Sequence, residues 1–198
     1  VSHNLAMSYS ALGKKVILVG ADLRNPQLHK FLGVKRENIG LTTYLSNKNF
    51  NDVDSLITKT ETSGGLDYLL TGAIPPNPSE LLMRPRMNEL LEVLKQSYDF
   101  IIIDSAPLLL VSDTSAILPL CDSVVYVTRS QFSEKKLFPF ILEMQQREKV
   151  PPFAMVLNGM RAGAKNGYSY GYKYRYSYGY TYNYGYGYGY GSDADTES

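Results

Sequence analysis

The chain has 198 residues, a formal net charge of +1 and a single cysteine. That length suits one α/β domain with an extension, and the balanced charge gives no argument for nucleic acid or an anionic membrane surface as a partner. A lone cysteine cannot close an internal disulfide, which fits a reducing compartment; no apolar run approaches the ~20 residues needed to cross a bilayer, and no stretch reads as a signal peptide.

Taken in order, Val1, Leu5, Tyr9 and Leu12 recur at helical spacing, with Gly13 as a stop. No cap residue precedes them, so the pattern predicts a helix already under way and a chain cut just upstream. Lys15 to Gly20 (KVILVG) is an apolar, β-branched run that reads as a buried strand. A loop comes next, with Asn25-Pro26 as its turn signal. Leu66 to Leu70 is a weaker strand. After the rigid IPPNP connection, Asn77, Pro78 and Glu80 form a capping-box-like helix start. Pro85 divides the next helical stretch into a short helix near Ser79–Met83 and a second helix with Met87, Leu90, Leu91 and Leu94 on one face. Phe100 to Ile103 is a buried strand ending at Asp104, and Ser123 to Thr128 is the next strand. Ser133 is read as the cap of a helix carrying Leu137, Ile141 and Met144, whose start Pro139 should delay or kink. Phe153 to Leu157 is the last strand. Strands alternating with helices predict an α/β domain over 1–165, with a mostly parallel sheet covered on both faces.

From residue 166 the composition changes. Tyr168, Tyr170, Tyr172, Tyr174, Tyr176, Tyr178, Tyr180, Tyr182, Tyr184, Tyr186, Tyr188 and Tyr190 alternate with mostly Gly, and the chain closes on an acidic stretch. A run without aliphatic side chains and rich in Gly is expected to be disordered on its own.

In parallel sheets, ligands bind at the carboxyl ends of strands. Two buried strands deliver acids there: VILVGADLRNP brings Asp22 and Arg24, and FIIIDSAP brings Asp104. Two carboxylates in one crevice suit Mg²⁺, which is held by one or two acids plus water and phosphate oxygens. A tyrosine hydroxyl, with a pKa near ~10, needs metal charge, positioning and a proton acceptor before it can take a phosphoryl group. His3 and His29 lack the neighbours of a metal or catalytic site. Cys121 reads as packed, and Asp113 and Asp122 read as helix and strand caps.

Together these residues resemble the bacterial tyrosine kinases, the autokinases of capsule and exopolysaccharide export. VILVGADLRNPQLHKFLG is similar to their second Walker-type motif, and GLTTYL (40–45) to the segment after it. TGAIPPNPSELL (71–82) is the most specific stretch, FIIIDSAP matches their Walker B strand, and the tyrosine run matches their autophosphorylation tail. The resemblance implies a P-loop-NTPase-like fold, ATP and Mg²⁺ as cofactors, and the tail tyrosines as acceptors. It makes Asp104 and Asp22 the catalytic acids at the metal, with Asp22 as metal ligand or proton acceptor, Arg24 a nucleotide contact that meets phosphate charge or else a subunit contact, and Asn158 a nucleotide contact near the adenine. It further implies a homo-oligomer in which one subunit's tail enters its neighbour's site, a membrane-anchored polysaccharide co-polymerase region in cis or trans, and an opposing tyrosine phosphatase. The expected location is cytoplasmic, at the inner face of the bacterial plasma membrane, through a part absent from this chain.

Two departures stand out. The family often has Asp-x-Asp in the first motif, but here the first position is Gly20. The Gly-rich phosphate loop, expected just before Val1, is missing, so this chain as given should bind ATP poorly and leave its own tail unmodified. A partitioning-type ATPase and a non-catalytic scaffold for polysaccharide export are the alternatives.

Overall fold

Every residue of VILVG is buried, and a strand with no polar side chain has to be covered on both faces. The computed structural model, which describes residues 1–34, 39–60, 65–108, 113–147 and 151–160, does this with helices on either side. In chain order the elements are α1 (Ser2–Ala11), β1 (Val16–Gly20), α2 (Leu28–Phe31), α3 (Leu41–Ser46), β2 (Ile57–Thr58), β3 (Leu66–Leu69), α4 (Pro78–Leu82), α5 (Pro85–Lys95), β4 (Phe100–Asp104), α6 (Asp113–Ile117), β5 (Val124–Arg129), α7 (Phe138–Arg147) and β6 (Phe153–Asn158). Val1–Met160 form one unit. The tyrosine run and the predicted boundary at 165–166 lie outside the described residues.

The main sheet has the order β2-β3-β1-β4. β1 pairs in parallel with both β3 and β4, and β2 adds an antiparallel edge. Alternation along β1 sends Val16 and Leu18 to one face, with Ala6 of α1 and Leu28 of α2. Ile17 and Val19 go to the other, with Leu41 and Leu45 of α3, Leu81 and Leu82 of α4, and Met87, Leu90, Leu91 and Leu94 of α5. β5 and β6 form a separate parallel pair. The expected single sheet is therefore divided into a four-stranded and a two-stranded part. β4, an edge strand here, is only half-buried along its whole length.

Other expectations shift in detail. α1 buries Ala6 and Ser10 rather than the Val1, Leu5, Tyr9, Leu12 stripe, and Leu12 is 75% exposed. Small residues let the helix lie close to the sheet, while Tyr9 reaches round to stack on Phe100, ring centroids 4.1 Å apart. Asn77 makes no capping bond to backbone, because its carboxamide donates to the Glu80 carboxylate at 2.5 Å. Pro139 delays its helix, which begins at Phe138 after a 3-10 turn over Lys135–Leu137. Ser133 does not cap that helix; its hydroxyl accepts the Arg129 amide at 2.9 Å and closes the preceding turn.

The short α3 has too few residues to be stable alone. It is held by its start. Leu41 N–H donates to the Leu70 carbonyl (2.9 Å) and Thr42 N–H to the Thr71 carbonyl (3.0 Å), so the backbone after β3 serves as the partner. Gly40 and Gly72 lie at this crossing. A Cβ on Gly40 would sit 2.4 Å from the Leu70 oxygen, and Gly72 has a φ of 81°. The GLTTYL and TGAIPPNPSELL segments are therefore one structural unit.

Arg86, from the start of α5, ties down the far end of α3. Its Nε donates to the Tyr44 carbonyl (2.9 Å), and its two terminal nitrogens donate to the Lys48 (3.2 Å) and Phe50 (2.5 Å) carbonyls. The guanidinium also covers the Tyr44 ring at 4.0 Å. Lysine cannot reproduce this planar fork. Arg86→Lys should cost roughly 1–3 kcal/mol of stability, read from urea unfolding midpoints, since two part-buried carbonyls and one exposed carbonyl lose a fixed donor.

Candidate active site

The candidate site is built on one backbone register. Gly20 of β1 lies opposite Asp104 of β4, and just past the strand the Ala21 N–H donates to the Asp104 carbonyl at 2.7 Å. Asp22, two residues beyond Gly20, and Asp104 thus leave the sheet at the same rim. Asp22 Oδ1 accepts the backbone N–H groups of Arg24 (3.2 Å) and Asn25 (2.9 Å), which folds the loop into a turn around its own carboxylate. Among the described residues neither acid has an ion-pair partner, and Asp104 Oδ1 accepts the Ser2 hydroxyl at 2.5 Å.

Burial raises the Asp104 carboxyl above the usual carboxylate range; the Ser2 hydrogen bond opposes this, and the negative charge of Asp22 adds to it. That electrostatic coupling is a second sign that the two acids face one space. A carboxylate whose charge is disfavoured beside a second acid suits a divalent cation. Among the described residues no group of three or more His, Cys, Asp or Glu gathers as a closed metal cage. Asp22 and Asp104 are the residues at this rim that could hold Mg²⁺, an ion that takes its other ligands from water and phosphate oxygens.

The remaining predicted residues are placed differently. Arg24 turns away from the Asp22 carboxylate and meets Asp113. Its Nε donates to Asp113 Oδ2 (2.7 Å) and its Nη2 to Asp113 Oδ1 (3.1 Å) and to the Ser79 hydroxyl (3.4 Å). Asn158 ends β6 on the separate two-stranded sheet, where its Oδ1 accepts the Gly159 N–H at 2.9 Å. Asp113 is more than the cap its sequence position suggests. Its side chain is 1% exposed. Burial alone would push its carboxyl up, but the hydrogen bonds from Arg24 and Ser79 outweigh that and hold it below the usual range. Sequence reasoning misses Ser2 and Ser79 altogether, and it misses the pairing role of Asp113, for which only the spacing of nine residues after Asp104 offers a signal.

Gly20 also has a structural account. A Cβ there would lie 2.9 Å from Thr71 Oγ1 and 3.3 Å from a Leu28 methyl carbon. The Thr71 hydroxyl fills the space and donates to the Gly20 carbonyl at 2.8 Å. A side chain at position 20 and threonine at position 71 are therefore in competition.

A family model described as an AAA domain matches residues 1–150. The tyrosine-protein kinase YwqD of Bacillus subtilis is 32% identical over 165 residues, which cover 83% of this chain and 68% of that protein. The chain belongs to the bacterial tyrosine-protein kinases. Within this family, a tyrosine-protein kinase from the cps region of Klebsiella pneumoniae is 39% identical over 168 residues, or 85% of this chain. The kinase domain of the Escherichia coli tyrosine kinase ETK superposes with a TM-score of 0.75 at 34% identity, covering 87% of this chain and 66% of that one. The chain spans 23% of the length of the Klebsiella kinase.

The rim can be probed through stability. A carboxyl whose folded-state pKa is raised costs the fold stability as pH rises from the unfolded-state pKa through the folded one, because over that window the unfolded chain has already released a proton that the native state still holds. Asp104→Asn keeps an acceptor for Ser2 and removes the charge. It should raise the melting temperature at pH 7, and the gain should vanish as pH falls below ~4, where the unfolded carboxyl is also protonated. Gly20→Asp, which restores the family's commoner residue, should cost about 2 kcal/mol or more by overpacking and charge burial. Thr71→Ala in the same chain should recover part of that loss in a denaturant titration.

Proposed function

We propose that this chain is the catalytic part of an ATP-dependent protein-tyrosine autokinase that regulates capsular or exopolysaccharide synthesis and export, with the tyrosines between 168 and 190 as acceptors. The observation that carries the reading is the β1–β4 register, which brings the loop bearing Asp22 out beside Asp104 at one rim of a parallel sheet, in a chain that also holds an alternating tyrosine run. Bound Mg²⁺ supplies positive charge against the triphosphate. Asp22 and Asp104 hold that ion. Asp22, which leaves one carboxylate oxygen outside its own turn, takes the proton from the incoming tyrosine hydroxyl. Arg24 keeps the Asp22 loop in place through Asp113 rather than meeting phosphate itself. Asn158 contributes to nucleotide binding from the β6 side.

The acceptor tail belongs to a neighbouring subunit in this reading, since a hydroxyl has to reach an exposed rim. The setting is the cytoplasmic face of the plasma membrane, beside a membrane-anchored polysaccharide co-polymerase region and with a phosphatase that resets the tail. Each phosphate adds about −1.5 to −2 charges, so a heavily modified tail repels its neighbours and loosens the assembly.

The test uses the full protein that carries this chain, incubated with ATP and Mg²⁺ and probed for phosphotyrosine. Asp22→Ala and Asp104→Ala should each lower tail phosphorylation by about 100-fold or more, and replacing the twelve tail tyrosines with Phe should abolish it. Release of free phosphate with no phosphotyrosine would overturn the kinase reading in favour of a plain ATPase.

A further inference from the structure

We infer that Asp113 is a positioning residue for Asp22, acting through Arg24 and Ser79 to clamp the loop after β1 against the segment after β4; its effect on the metal rests on the function proposed above.

Asp22 sits on a loop with two ends. One end leaves β1, where the Ala21 N–H is bonded to the Asp104 carbonyl. The other end passes through Leu23, which is fully buried, to Arg24. The Asp22 carboxylate is shaped by the Arg24 and Asn25 amides, so its direction is set by where the Arg24 backbone lies. The Arg24 side chain fixes that backbone with a two-pronged bond to a carboxylate that is 1% exposed. Ser79, in the first turn of α4, donates to the same carboxylate. Asp113 is the first residue of α6, and the next residue, Thr114, donates its hydroxyl to the Ala106 carbonyl at 2.6 Å. Ala106 lies two residues past Asp104. The clamp thus runs from the Asp22 loop through Arg24, Asp113 and Thr114 to the Asp104 loop, closing a circuit whose other side is the β1–β4 register.

A buried carboxylate is costly unless paired, and pairing alone could be met by any nearby cation. This one is met by a guanidinium two residues from the candidate metal ligand and by a serine from the family's PPNPSE segment. Residues that orient a metal ligand without touching the metal typically cost 10–100-fold in affinity when changed.

The test compares the full protein with its Asp113→Asn and Arg24→Lys variants, and with Tyr98→Phe as a control. Tyr98 donates to Asp67 at 2.7 Å, away from the rim, so its variant reports general loosening. The first measurement is hydrogen exchange of the peptide covering 21–27, without metal or nucleotide. It should rise at least about tenfold in Asp113→Asn and severalfold in Arg24→Lys, and remain near the starting rate in Tyr98→Phe. The second is Mn²⁺ affinity in the presence of a non-hydrolysable ATP analogue, which should weaken about tenfold in Asp113→Asn. Unchanged exchange at 21–27 in folded Asp113→Asn would overturn the clamp. Should that variant not fold, unchanged exchange in Arg24→Lys would do the same. Faster exchange with unaltered Mn²⁺ affinity would leave a loop brace and refute its role toward the metal. Absence of tyrosine phosphorylation in the unmodified protein bears on the proposed function alone, since the exchange measurement needs no activity.

Discussion

The structure depends on the parallel pairing of β1 with β4. That pairing places Gly20 opposite Asp104 and so brings the loops bearing Asp22 and Asp104 out side by side. β1 is buried on both faces and supplies core contacts to both helical layers. The element that positions the chemistry is therefore also the one whose burial the fold relies on most, at an apolar contribution of roughly 25 cal/mol per Å² removed from water. The candidate site is built at the end of a strand whose five residues are all buried.

Stability and function pull against each other at this rim. Asp104 is held in a setting that disfavours its charge, and Asp22 adds to the repulsion. A divalent cation relieves both effects at once, so the site is more at ease with metal than without it. Asp113 is the opposite case. Its carboxylate is almost wholly shielded from solvent, yet its charge is favoured, because Arg24 and Ser79 are brought to it. One acid has its charge disfavoured by its surroundings, and the other has its charge satisfied by the protein itself.

Much of this is legible in the sequence, and the reasons are local. β1 and β4 are continuous apolar runs leading to an acid, and α5 has a clean apolar face that is buried as the pattern requires. The elements that escape a reading of the sequence are those whose stability is not local. α2 and α3 have four and six residues, and α3 exists because its amides find carbonyls beyond β3. Hydrophobicity points to Leu5 and Leu12 as the inner face of α1, whereas close packing selects Ala6 and Ser10. Asp113 looks like a cap because its partner Arg24 lies 89 residues away, and no pattern in one sequence links the two. The roles proposed for Asp22 and Asp104 start from the likeness to a known family. It does not indicate that Arg24 is occupied by an ion pair.

The two-sided burial of β1 has a further consequence. A strand with one wet face resists sliding along its neighbours, because a one-residue slip would turn its apolar side chains to water. β1 lacks that protection, since Val16 through Val19 have hydrophobic neighbours on both faces. Its alignment has to come from outside the apolar pattern, from bonds at the strand's carboxyl end such as Thr71 to Gly20 and Ala21 to Asp104. Damage to those bonds would weaken the fold and part the two acids together, so the contacts that hold the strand in line also hold the rim in register.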